Sequence, residues 1–99
     1  MNMLNSLILE GNVSGEIVFD SEVKRLDFPV AVKRFYKNAE GEGVEEVSHF
    51  NIRLYGNMAE YGKEHLSPER GLRIVGRLKE EDSKVVVIAE HIEFKPRKF

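Results

Sequence analysis

From Ser48 to Gly56 the chain alternates without a fault. Phe50, Ile52 and Leu54 fall on one side, and His49, Asn51, Arg53 and Tyr55 on the other. Successive side chains of a strand face opposite sides, so the segment Val47 to Tyr55 predicts a strand with one apolar face. Its other face carries an imidazole, an amide, a guanidinium and a phenol. An ordinary solvated strand face carries Lys, Glu and Thr; this mixture suits stacking on bases and hydrogen bonding to phosphates.

The same pattern predicts four more strands. Asn5 to Val13 places Leu7 and Leu9 on one face and Ile8 on the other, with Gly11 marking a bulge or a barrel corner. Gly15 to Phe19 is read as its continuation after a turn. Leu26 to Tyr36 alternates Phe28, Val30 and Val32 toward a core; Pro29 has no N–H to give, which puts the start of this strand at an edge or a bulge. Asn38 to Glu46, two glycines among acids, reads as a loop. Leu72 to Leu78 turns Leu72 and Ile74 inward and Arg73 and Arg77 outward. Lys84 to Phe94 is the last strand, with the apolar run Val85 to Ala89.

Between the third and fourth strands the period changes. Met58, Ala59, Gly62 and Leu66 form a stripe at helical spacing, with Asn57 and Glu60 placed as a capping box and Pro68 beyond the end. A single mostly β domain spanning residues 1–99 follows, with five short strands and one short helix between strands 3 and 4. That order describes the OB-fold, a Greek-key barrel that binds oligonucleotides across its strand 2–3 face. The aromatic and basic residues fall on those two strands.

Composition narrows the function classes. The 99 residues hold no cysteine, which excludes disulfides and thiolate metal sites, and His49, His65 and His91 show no ligand spacing. No cofactor is expected. An enzyme is disfavoured, because the three histidines lie on three elements and no phosphate-binding Gly loop appears; Gly41 and Gly43 are flanked by acids. The net charge of −2 argues against gripping nucleic acid by charge alone. Charge is segregated, however. Lys33-Arg34-Phe35-Tyr36-Lys37 interleaves cations with rings, and Lys95-Pro96-Arg97-Lys98 is a second basic cluster, while acids gather in Glu40 to Glu46 and Glu80 to Asp82. No membrane span and no signal peptide are read, so a cytoplasmic, nucleoid-associated protein is expected.

Several stretches resemble the bacterial single-stranded DNA-binding proteins. They are Asn5 to Val13 (NSLILEGNV), Phe28-x-Val30-Ala31-Val32, Phe50 to Gly56 with Met58-Ala59-Glu60, Gly71-x-x-Ile74-Val75-Gly76-Arg77-Leu78, and Ala89 to Phe94. The resemblance covers nearly the whole chain. It implies sequence-tolerant binding of single-stranded DNA in replication, recombination or repair, by a homo-oligomer (dimer or tetramer), without catalysis. Carried across residue by residue, the ring on strand 2 falls at Phe35 or Tyr36, the ring early in strand 3 at His49, and the ring closing it at Tyr55. Asn51 takes a polar contact position and Arg70 lies near a basic one.

The chain also departs from that family. It has no Trp, and the hairpin between strands 4 and 5 is cut to Lys79-Glu80-Glu81-Asp82-Ser83, acidic where the family is basic. The run after strand 1 is only loosely similar. The sequence stops at Lys98-Phe99, so recruitment of partners through an acidic tail is not expected. Two alternatives therefore stand beside the main reading: a factor resembling primosomal replication protein N, and an OB module used only for protein–protein contact.

Overall fold

The structure is a computed structural model that describes residues 1–96. Arg97 and Lys98 of the C-terminal basic cluster lie outside the described residues. Seven elements follow in order: β1 (Leu7–Val13), β2 (Val18–Asp20), β3 (Arg25–Lys37), β4 (Gly43–Tyr55), α1 (Gly56–His65), β5 (Gly71–Glu81) and β6 (Lys84–Phe94). Strands β1, β5, β6, β4 and β3 are neighbours in that order, and β3 pairs back to β1. The five close into the OB barrel, with β2 a short ribbon added to β3. All ladders are antiparallel except β4–β6, which is parallel at Ile52–Val87 and Arg53–Ile88.

Closure depends on β1 serving two partners. Leu7 to Asn12 pair with β5, and Asn12 and Val13 pair with Ala31 and Val30 of β3. The changeover happens at Asn12, which pairs with both, and at Gly11 just before it a Cβ would sit 2.3 Å from the Ala31 carbonyl oxygen. Only a residue without a side chain lets the two backbones meet that closely. The same corner accommodates Pro29. Its carbonyl accepts the Ser14 N–H at 3.0 Å, and it lies in the gap between the β2 pairing, which ends at Asp27, and the β1 pairing, which begins at Val30. The missing N–H therefore faces the chain crossing from β1 to β2, where no ladder partner is due. Upstream of β1, Asn5 prolongs the ladder with its side chain: Nδ2 donates to the Leu78 carbonyl at 2.8 Å and Oδ1 accepts the Leu78 N–H at 2.9 Å.

The core forms where the inward rows of the barrel meet the helix. Val13, Leu26, Phe28, Val30, Ile52, Leu54, Leu72, Ile74 and Val87 are almost fully buried. The predicted helical stripe is realised, with Ala59, Gly62 and Leu66 buried against the barrel. A Cβ at Gly62 would come within 2.8 Å of both Leu26 and Leu54, so glycine lets the helix approach closely.

Four local expectations are corrected. The capping box at Asn57 does not form, because β4 runs directly into the helix. The N-cap is Tyr55 without a side-chain cap, and the Gly56 N–H donates instead to the Lys24 carbonyl at 2.8 Å. Gly15 to Phe19 does not prolong β1; only Val18 to Asp20 is strand, turned back onto β3. The loop Asn38 to Glu46 shrinks to Asn38 to Glu42, since Gly43 to Glu46 pair with Arg34 to Lys37. Asn38 closes the turn, its Oδ1 accepting the N–H groups of Glu40 (3.0 Å) and Glu42 (2.9 Å), a local bond that replaces a longer loop. Phe50 occupies the apolar row as expected but is 38% exposed, because the pairing of β4 with β6 covers only Ile52 and Arg53 and does not reach it. The β5–β6 connection is tighter still, a two-residue turn at Asp82 and Ser83, both at positive φ.

Candidate nucleic-acid interface

The register of β3 against β4 decides which side chains share a face. Pairing is unbroken from Arg25–Tyr55 to Lys37–Gly43. Residues directly opposite one another lie on the same face, and neighbours along a strand lie on opposite faces. Leu26, Phe28, Val30, Ile52 and Leu54 point into the barrel, so the even-numbered row is the inner one. The odd-numbered row faces out: Arg25, Asp27, Pro29, Ala31, Lys33, Phe35 and Lys37 on β3, with Glu45, Val47, His49, Asn51, Arg53 and Tyr55 on β4.

This register puts Phe35 and Tyr36 on opposite faces. Phe35, 71% exposed, shares the outer face with His49, Asn51 and Tyr55. Tyr36, 41% exposed, lies on the opposite face with Arg34, Val44 and Phe50. Along β4, Tyr55 and His49 are separated by about 20 Å, and the level of Phe35 lies about 13 Å further on, from the rise of a strand. Lys33 and Lys37 flank Phe35 on the same face, and among the described residues neither has an ion-pair partner within 4.0 Å.

Arg53 behaves differently from the other outward residues. It is only 9% exposed, and its guanidinium is engaged: Nε donates to Asp27 at 2.8 Å and Nη1 to Glu81 at 2.7 Å. Glu81 comes from the end of β5, so the ion pairs tie the short acidic hairpin to the β3–β4 sheet. The hydrogen bond Arg53 donates to Glu81, supported by the one it donates to Asp27, holds Arg53 more firmly protonated than an ordinary arginine despite its burial. In return the Arg53 hydrogen bond draws the Glu81 carboxyl below the usual carboxylate range. The lock engages Nε and Nη1, the latter also 3.5 Å from the Tyr55 hydroxyl, and two carboxylates already answer the charge a phosphate would need. Beside it runs a groove of about 520 Å³ lined by Asn51, Arg53, Glu81, Asp82, Lys84 and Val85. Its acidic rim disfavours phosphate, while Asn51 and the exposed Val85 offer an amide and an apolar surface to a base.

The remaining predicted cations lie off this face. Arg73 is bound to Glu10, with Nη2 at 2.7 Å and Nε at 2.8 Å, on the β1–β5 side of the barrel. Arg77 stands 4.0 Å from Glu90. Arg70, in the connection from α1 to β5, lies over the Phe94 ring at 5.0 Å. Thus the structure brings together Lys33, Phe35, Lys37, His49, Asn51 and Tyr55, with Arg53 locked beneath them, and leaves Arg34, Tyr36, Arg70, Arg73 and Arg77 elsewhere. Sequence reasoning missed Asp27 and Glu81 as the partners of Arg53. The pairing of Asp27 opposite Arg53 follows once the β3–β4 turn is centred on Glu40, which the overlong loop concealed. No group of three or more His, Asp or Glu capable of holding a metal occurs among the described residues.

A closed OB barrel with an exposed aromatic and basic strand face defines a class of ligand-binding modules rather than a reaction centre. Residues 4–94 match the family model described as "Single-strand binding protein family", and the chain belongs to that family. Its members are binding proteins, not enzymes. A single-stranded DNA-binding protein of Aquifex aeolicus is 34% identical over 101 residues, covering 91% of this chain and 69% of the relative. Among solved structures, the Plasmodium falciparum SSB in complex with single-stranded DNA superposes with a TM-score of 0.80 at 18% identity, covering 97% of this chain and 98% of that one. A deletion variant of the single-stranded DNA-binding protein from Thermus aquaticus gives 0.78 at 23% identity; this chain is 94% covered and spans about half (51%) of it. At these identities the structural likeness speaks to the fold.

Proposed function

We propose that this protein binds single-stranded DNA without sequence preference, across the outer face of β3 and β4, in replication, recombination or repair. The observation that carries this reading is the unbroken register that gathers Phe35, His49, Asn51 and Tyr55 with Lys33 and Lys37 on one exposed face. Rings stack on any base, at about 1–3 kcal/mol each, and the two lysines track the phosphates. Phe35 and Tyr55 are the main platforms and His49 a weaker one. Affinity for a lone barrel is modest, since few platforms are present and the groove beside Arg53 is rimmed with acids.

Joining barrels would raise affinity through effective concentration. The free edge at the start of β1 supports a homo-oligomer: Leu7 to Leu9 pair with β5 on one side only, and Ile8 beside that edge is 68% exposed. An unpaired strand edge is a template for a second copy. The cytoplasm, at the nucleoid, is the compartment that fits this ligand.

The test is a fluorescence-anisotropy titration of labelled oligo-dT and of its duplex, at low and moderate salt. The expected result is preferential binding of the single strand, weakening as salt rises. Absence of binding at low salt would overturn the reading and leave the barrel as a protein-contact module.

A further inference from the structure

We propose that the strand continues off the β3–β4 face into a second contact zone, a groove bounded by Lys33, Arg70 and Lys95, which takes its sugar–phosphate backbone. This rests on the single-strand reading above and extends it to a surface outside strands β3 and β4 of the sheet. The groove encloses about 730 Å³, between the corner of β1 and the α1–β5 connection, and its lining includes Asn12, Lys33, Ser67, Arg70 and Lys95.

Continuity is the first argument. Ala31 and Lys33 line this groove, and both belong to the outward row of β3, with Ala31 directly opposite His49. A strand leaving His49 past Ala31 and Lys33 therefore arrives on residues that line the groove. A neighbouring hollow lined by Asn12, Ser14, Ala31, Lys33 and Glu69 widens the same passage.

Charge is the second. Three cations face two carboxylates, those of Glu10 and Glu69. Glu10 is already answered from outside the groove by Arg73 at 2.7 Å, with Lys95 more distant at 3.8 Å. The Arg73 hydrogen bond draws the Glu10 carboxyl below the usual range, with the Lys95 charge helping. That leaves Lys33 and Arg70 without a carboxylate within ion-pair distance among the described residues, and Lys95 only loosely held. The contrast with the groove beside Arg53 is direct: there the acids prevail and the guanidinium is bound twice.

Arg70 supplies the third. Its guanidinium rests on the Phe94 ring, which fixes it, while its buried Nε has no hydrogen-bond partner among the described residues. An arginine oriented by a ring but not neutralised by a carboxylate is suited to an anion. The opposite wall is also fixed, since Asn12 Nδ2 donates to the Glu69 carbonyl at 2.9 Å and the Val13 N–H to the Arg70 carbonyl at 3.0 Å.

The experiment compares the protein with Lys95→Gln and Lys95→Glu on oligo-dT of two lengths, about 4 and about 16 nucleotides, spanning the range of sites on OB barrels. Circular dichroism melts check that the variants stay folded, as expected for an exposed side chain beyond the last strand. The short oligomer should bind all three proteins alike. The long one should bind Lys95→Gln several-fold more weakly and Lys95→Glu more weakly again. The slope of log K against log salt should become shallower by about 0.7 for one lost phosphate contact. Unchanged affinity and slope with the long oligomer would overturn the proposal and turn the groove toward an acidic protein partner. Equal weakening with both lengths would also overturn it, because Lys95 would then act through the barrel. If the parent protein bound neither oligomer, the single-strand reading itself would fall.

Discussion

The two halves of the β3–β4 hairpin share one register and one alternation, yet they end in different environments. In the half that joins the barrel, Leu26, Phe28, Val30, Ile52 and Leu54 are sealed, and the outward Arg53 is clamped by Asp27 and Glu81. In the half that projects, Arg34 and Tyr36 with Val44 and Phe50 continue the inward row but find no core, and the outward Lys33, Phe35 and Lys37 stand open. Alternation determines which face a side chain takes. Whether that face is covered depends on how far neighbouring strands extend, and β1 and β6 stop short of the arm. Stability is thus concentrated at one end and the unpaired lysines at the other, while Tyr55 keeps an exposed ring at the barrel end.

The largest expected effect tests that division directly. Phe28→Ala should cost about 3–5 kcal/mol of unfolding free energy, as expected for a fully buried ring. Phe50→Ala, in the exposed continuation of the same row, should cost under about 1 kcal/mol. Urea unfolding of both variants decides it, and equal losses would mean the arm is packed as tightly as the barrel.

Next comes the clamp. Arg53→Met should destabilise by roughly 1–3 kcal/mol, between the values for exposed and for buried pairs, since Asp27 and Glu81 lose their partner but keep some contact with water. Its effect on single-strand affinity should be smaller than that of Tyr55→Ala. A large loss of affinity with unchanged stability would show Arg53 released to a phosphate in the complex.

Along the whole hairpin, the face a ring takes should govern binding. Phe35→Ala and Tyr55→Ala should each weaken single-strand binding by about 1–3 kcal/mol without lowering stability comparably. Tyr36→Ala, one residue along but on the other face, should change it little. Anisotropy titration of the three variants would break the comparison if Tyr36 mattered more than Phe35.

These same residues show how legible the molecule was. Strand order, the helix between the third and fourth strands, the inward placement of Leu72 and Ile74 and the limits of the last strand followed from period and parity. The barrel corner was marked by Gly11; Pro29 marked a gap between the β2 and β1 ladders rather than a sheet edge, since the start of β3 is paired on both sides. What failed depended on partners distant in sequence. Asn57 had the residue type of a cap, but the strand feeding straight into α1 put the helix start before it. The cations of the candidate face could be named but not sorted, because the sorting rests on Glu81 reaching Arg53 across 28 positions and on Glu10 reaching Arg73 across 63. Phe35 could not be told from Tyr36 until the turn fixed the register.

The smallest effect expected is a pH dependence that belongs to the barrel end alone. The Glu81 carboxyl titrates near 4.5 when free and lower in the fold, where Arg53 hydrogen-bonds to its charged form. A depressed folded value means the stabilisation is fully present above the unfolded value and is lost as pH falls through the folded one. Stability should therefore decline below about pH 4.5 as the clamp is protonated, and Glu10, held by Arg73, adds in the same direction. Glu81→Gln removes one of the two contributions, so its stability should fall less steeply than the parent's over that acidic range. Urea midpoints measured from pH 6 downward separate them. Parallel profiles would place the acid sensitivity outside the clamp and leave the hairpin tied to the sheet by its turn and backbone ladder alone.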